Sequence, residues 1–118
     1  MGSERRQFLR AASRLITWIT LPETGKVMRV LTLDVGAGGA RFMTERPLEV
    51  GTPLAIEITL PDREQPIRCA AEVVRSGPMK DVTDESRLAA ETAVKFVQID
   101  PRDHTDLTFY VKINLSPV

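Results

Sequence analysis

Apolar side chains fall on alternate positions in several short stretches of the chain, at 14–21, 26–34, 40–45, 53–60, 67–75 and 92–99. The clearest is 53–60, where Leu54, Ile56, Ile58 and Leu60 alternate with Ala55, Glu57 and Thr59. A period of two with one wet face marks a half-buried strand. Stretch 67–75 follows the same rule, with Ile67, Cys69, Ala71 and Val73 on one face and Arg68 and Glu72 on the other. Between the stretches lie "PETG", "GAGG", "RPLEVGT", "PDREQP" and "SGPMKDVTDESRLAAE", each with glycine or proline punctuation except where acids and serines take over. Short strands separated by turn signals predict a small antiparallel barrel or sandwich.

After residue 99 the period changes. Asp100 can cap a helix, Pro101 can open it and Asp103 places an acid in its first turn, while Leu107, Tyr110, Val111 and Asn114 recur at helical spacing. The expected fold class is therefore all-β with a C-terminal helix, a six-stranded antiparallel β-barrel with the helix packed on one opening. At 118 residues the chain suits a single domain over 1–118. It divides into a basic N-terminal arm (1–13), the β-barrel (14–99) and the helix (100–115). The connection 76–90 is the one long loop in this reading, and its length suggests mobility or function.

Charge narrows the function classes. Lys and Arg number 16 against 16 Asp and Glu, so no global field draws the protein to nucleic acid or an anionic membrane. Locally the balance breaks, because Arg5, Arg6, Arg10 and Arg14 face only Glu4 within the first fourteen residues. Cys69 is the single cysteine and His104 the single histidine, too few for a zinc site of the usual kinds. Cys69 reads as a core residue and His104 as a surface one with no nucleophile beside it. Trp18 and Phe42 read as barrel packing, and an aromatic content of 5% is low for a base-stacking RNA surface. No apolar run reaches the roughly 18 residues a membrane helix needs, and "LITWITL" is short for a signal-peptide core. The expectation is a cytoplasmic protein with no membrane insertion.

Two stretches carry candidate chemistry. The first, "LDVGAGGARF", sets Asp34 and three glycines inside an apparent strand. One reading is a hairpin in which glycines supply positive φ and Asp34 bonds to local backbone. Another is a nucleotide loop: the stretch resembles the first motif of S-adenosylmethionine-dependent methyltransferases at Asp34, Gly36 and Gly38, with Ala40 at the last glycine position. Such a loop must open a helix inside a βαβ unit of about 30 residues. Residues 41–45 instead read as a strand, and Pro47 follows at once. The third reading is half of a ligand site. The second stretch, "ERRQFLR", spaces Arg6 and Arg10 four residues apart with Arg5 adjacent. Arginine is planar, permanently charged and forked, suited to bidentate contact with phosphate and with the guanine O6/N7 edge. The plain alternative is a solvated terminus.

Taken together, the two stretches resemble the PilZ domains, receptors for the bacterial second messenger cyclic di-GMP. That family carries an R-x-x-x-R motif, here Arg6-Gln7-Phe8-Leu9-Arg10 preceded by Arg5, and later a (D/N)-x-S-x-x-G motif, here Asp34-Val35-Gly36-Ala37-Gly38-Gly39. The resemblance covers nearly the whole chain. It implies a non-catalytic cyclic di-GMP sensor or adaptor with no cofactor, an arm that orders on binding, and a protein partner that reads the change. Ligand contacts would come from Arg5, Arg6, Arg10, Asp34, Gly36 and Gly39. The arginines would clamp phosphates and guanine edges, and Asp34 would accept hydrogen bonds from guanine N1–H and N2–H₂. Gly36, Gly38 and Gly39 would let the backbone come close. Gly36 stands where the family has serine; one lost neutral hydrogen bond costs on the order of 1 kcal/mol, about fivefold in affinity. The alternative is a degenerate PilZ module that keeps the barrel, does not bind cyclic di-GMP and works through protein contact.

Overall fold

Each stretch of alternating apolar residues is a strand. The structure, a computed structural model, describes residues 10–79 and 90–114. Its elements are β1 (Arg10–Ala12), β2 (Ile16–Leu21), β3 (Lys26–Gly36), β4 (Gly39–Thr44), β5 (Pro53–Ile58), β6 (Ile67–Pro78), β7 (Ala90–Ile99) and α1 (Pro101–Ile113). Strands β2, β5, β6, β7, β4 and β3 follow one another around the wall, and the β2–β3 pairing closes it into a six-stranded antiparallel barrel.

Boundaries differ from the sequence reading: residues 76–78 and 90 of the expected loop extend β6 and β7, and the arm is shortened at its end. Residues 10–12, assigned to the arm, form β1 and pair Arg10 with Gly36, Ala11 with Val35 and Ala12 with Asp34. Asp34 is also paired with Arg41 of β4, so β1 lies along the edge of β3 that β2 also uses. β1 and β2 are thus two pieces of one strand, interrupted at 13–15. Ala11 is fully buried, which supplies the apolar anchor for so short a strand. The break is stitched by side chains: Thr32 Oγ1 donates to the Ser13 carbonyl and accepts from the Leu15 amide, and the Ser13 hydroxyl meets that of Tyr110 on α1. Those contacts satisfy backbone groups that the interrupted ladder leaves open.

The barrel interior is filled from every wall strand by Ile19, Val30, Phe42, Ile56, Ile58, Ile67, Val73 and Val94, all at most 4% exposed. Each such side chain contributes about 1.5–3 kcal/mol through burial. Cys69 is buried among them as expected, and burial, aided by the Asp103 charge, pushes its thiol up to about 12. Phe42 belongs to this core. Trp18 does not: it is 43% exposed on the outer face, between Arg29 of β3 and Glu57 of β5. Its neighbours Thr17 and Ile19 already point inward at 0% exposure, and a period of two leaves no second inward place beside them.

Helix α1 begins as the sequence suggests. Asp100 caps it by accepting from the Arg102 amide at 2.9 Å, and Pro101 occupies its first position. Leu107 and Val111 are buried against the core, and the helix contacts β1, β3 and β6. Arg63, from the β5–β6 connection, holds Asp103 and Asp106 of α1 at 2.6 and 2.9 Å.

Gly39 shows how tightly the wall closes. A Cβ there would sit well inside contact distance of the Val94 carbonyl oxygen of β7 and 3.2 Å from the Lys95 Cα. Neither backbone atom can move without opening the β4–β7 pairing. The Gly39→Ala variant is expected to lose roughly 1–3 kcal/mol of stability. The control Gly77→Ala meets nothing within 4 Å, and should stay within about 1 kcal/mol of wild type or gain slightly. Urea denaturation of the two variants measures the difference; equal stabilities would show that the barrel tolerates a side chain at position 39.

Candidate functional site

Of the site candidates, Arg10, Asp34, Gly36 and Gly39 lie where β1 and β4 flank the end of β3. A register shift between Thr32 and Asp34 bends β3, and past it Asp34 faces the same side as Arg41 across the β3–β4 pair. Arg10 arrives on Asp34 from the other edge, on β1. The two motif residues Arg10 and Asp34, 24 positions apart in sequence, are therefore in direct contact: Arg10 Nε and Nη2 donate to Asp34 Oδ1 at 3.0 and 2.6 Å.

The second oxygen of that carboxylate is taken by a residue the sequence reading did not single out. Arg41 Nε and Nη2 donate to Asp34 Oδ2 at 2.7 and 2.5 Å, and its Nη1 donates to Glu91 Oε2 of β7 at 2.5 Å. The result is a row of alternating charge, Arg10, Asp34, Arg41, Glu91, running across β1, β3, β4 and β7. The Asp34 side chain is 12% exposed while the arginines remain about one-third open, at 35% and 34%. Charge-assisted pairs of this forked kind are about twice as strong as neutral hydrogen bonds, and partial solvent contact screens them.

The electrostatics follow from the geometry. Burial works against an ionised Asp34, but the hydrogen bonds and positive charges of Arg41 and Arg10 outweigh it and hold the carboxyl below its usual value. The Asp34 contact in turn raises the Arg41 guanidinium, with Glu91 adding to the effect.

The other site candidates are placed as follows. Gly36 ends β3 opposite Arg10, two residues from Asp34 and on the same face. Gly39 opens β4, where β7 leaves no room for a side chain, so its small size serves the strand pairing. Gly38 accepts through its carbonyl from the Phe96 amide of β7 at 2.9 Å. The hairpin between β3 and β4 is real, but the glycines with positive φ among the described residues are Gly25 and Gly51. Asp34 makes its bonds to arginines instead of to local backbone. Arg5 and Arg6 lie outside the described residues, as do 80–89 of the long connection. No group of three or more histidine, cysteine, aspartate or glutamate side chains able to hold a metal occurs among the described residues. No helix among them is long and apolar enough to cross a membrane.

A six-stranded barrel thus carries a C-terminal helix and sets an arginine of the first motif against the acid of the second. The PilZ domain model matches residues 4–112, and the chain belongs to the PilZ domain family, a ligand-binding and adaptor module that is generally non-enzymatic. Solved structures agree on the fold. The Bacillus subtilis inhibitor of motility MotI/DgrA superposes with a TM-score of 0.74 at 24% identity, covering 92% of this chain and 50% of that one. The PilZ domain of YcgR from Escherichia coli with c-di-GMP gives 0.73 at 18% identity, covering 93% and 91%. MrkH, described as a c-di-GMP-dependent transcription regulatory factor, gives 0.72 at 16%, covering 92% and 50%. The chain thus spans half the length of MotI/DgrA and of MrkH. No curated protein matches the sequence.

Asp34 supplies a pH signature. With its folded-state pKa below the unfolded value near 3.9, the unfolded chain binds the extra proton first, so the stability from this group is present above pH ~4 and is lost as pH falls through the folded pKa. Asp34→Asn should therefore be less stable than wild type at pH 7, with the gap narrowing toward pH 3. Urea denaturation at the two pH values reads this directly, and a gap that stays constant would mean that Asp34 ionisation does not support the fold.

Proposed function

We propose that this PilZ domain is a cyclic di-GMP sensor or adaptor with no catalytic activity of its own. The observation that carries the reading is the Arg10–Asp34 contact, which joins one residue from each family motif at one point of the barrel rim. Family membership supports it, and so does a fold shared with the c-di-GMP-bound PilZ domain of YcgR.

In this reading Asp34 accepts from the N1–H and N2–H₂ of a guanine, the donor pair that a carboxylate is shaped to receive. Arg10 and Arg6 take phosphates and guanine O6/N7 edges, with Arg5 in support. The arm ahead of β1 closes over the ligand, and the new surface of arm and barrel is what a protein partner reads. The partner set is thus cyclic di-GMP and a protein, with no nucleic acid and no membrane insertion, in the cytoplasm. Two phosphate charges meeting arginines make the affinity fall with added salt. Gly36 favours a second reading, a module that keeps the barrel and acts through protein contact alone, because position 36 offers no hydroxyl on the face that Asp34 shares.

Isothermal titration of cyclic di-GMP decides between them. Under the sensor reading wild type binds, Arg10→Ala loses binding, and Gly36→Ser binds about fivefold more tightly. No heat with wild type, together with heat restored in Gly36→Ser, would identify a module that has lost its ligand.

A further inference from the structure

We propose that Arg41, anchored by Glu91, is the positioning residue of the Asp34 carboxylate, and that Arg10 is a resident occupant that leaves the carboxylate when a guanine edge arrives. The inference rests on the cyclic di-GMP reading for its second half and stands on the free protein for its first.

An ionised carboxylate has two oxygens with about two lone-pair positions each. In the free protein four N–H groups fill them, two from Arg10 on Oδ1 and two from Arg41 on Oδ2. A guanine Watson–Crick edge brings further donors to the same carboxylate. At least one arginine must therefore let go.

The structure distinguishes the two. Arg41 is held at both ends of its guanidinium, by Asp34 and by Glu91, and its strand is paired on both edges, to β3 and to β7. Arg10 has Asp34 as its single ion-pair partner among the described residues, and it opens a strand of three residues that pairs along one edge, to β3. Among the described residues, departure of Arg10 breaks two hydrogen bonds where departure of Arg41 breaks three. It also leaves the buried acid with a cation beside it, because Arg41 continues to balance Asp34 and Glu91. Arg10 carries its charge away to where a phosphate would neutralise it. Oδ1, the oxygen it vacates, becomes the acceptor offered to the base, while Oδ2 stays fixed by Arg41. A pre-aimed acceptor of this kind lowers the ordering cost of binding, whereas the resident Arg10 raises it.

The arrangement makes Arg10 both competitor and ligand contact, and Arg41 neither. Substitution at Arg10 should therefore remove a contact and a competitor together, while substitution at Glu91 should loosen only the support of Arg41.

Two measurements test this. In the free protein, carbon-13 NMR titration of the Asp34 carboxyl should show a larger upward shift in Arg41→Gln than in Arg10→Gln. An equal or larger rise in Arg10→Gln overturns the positioning role. In the second measurement, cyclic di-GMP added to wild type should move the Arg10 Nε–H resonance and leave that of Arg41 in place, and Glu91→Gln should bind roughly fivefold more weakly at unchanged melting temperature. Movement of Arg41 with Arg10 unmoved, or unaltered affinity in Glu91→Gln, overturns the exchange. If wild type gives neither heat nor a shifted resonance, the ligand reading fails, and the carboxyl titration alone decides whether Arg41 positions Asp34.

Discussion

Strand β3 carries two partners along one edge, first β2 and then β1, while β4 runs along the other, and this double use brings arginines to opposite sides of one carboxylate. Most of the remaining architecture follows from it. The register shift at Thr32/Asp34 lies in β3 between the stretch that pairs with β2 and the stretch that pairs with β1. Bulges commonly re-aim a side chain in this way at a barrel rim. Without the shift, a regular alternation would carry Asp34 to the face opposite the one it now occupies.

The rim and the helix are joined through the same short break. Ser13, between β1 and β2, contacts Tyr110 of α1, and Thr32 bonds to both sides of the break. The helix is also tied at its other end, where Arg63 bridges to Asp103 and Asp106. Burial works against an ionised Asp103, but bonds to Arg63 and to the Arg68 amide prevail and keep it below its usual value. Helix and barrel are thus fastened at two separated points by polar contacts, with Leu107 and Val111 providing the apolar seal between them.

The sequence made the barrel legible because its signal is local. Period-two spacing in 53–60 and 67–75, glycine and proline between strands, and a capped helix after residue 99 each need only near neighbours to be read. Two features escaped for opposite reasons. Trp18 has the side chain of a core residue, yet Thr17 and Ile19 occupy the interior on either side of it, so position overruled size. Arg41 could have been found: if "GAGG" is a hairpin turn, the residue facing Asp34 across it falls at Arg41. Glu91 offered no such route, since it lies 50 residues from Arg41 and meets it only once β7 is laid beside β4. The Arg10–Asp34 contact lay between these cases. The two motifs were visible, but β1 was not, because three residues are too few to show a period.

Gly39 changes how the second motif should be interpreted in this chain. Its place in the pattern has the look of a ligand requirement, but here the carbonyl of Val94 already forbids a side chain there. Selection for a closed barrel alone would retain the glycine, even in a lineage that had abandoned its messenger. A match at that position is therefore accounted for in this chain by folding, whether or not a ligand also uses it.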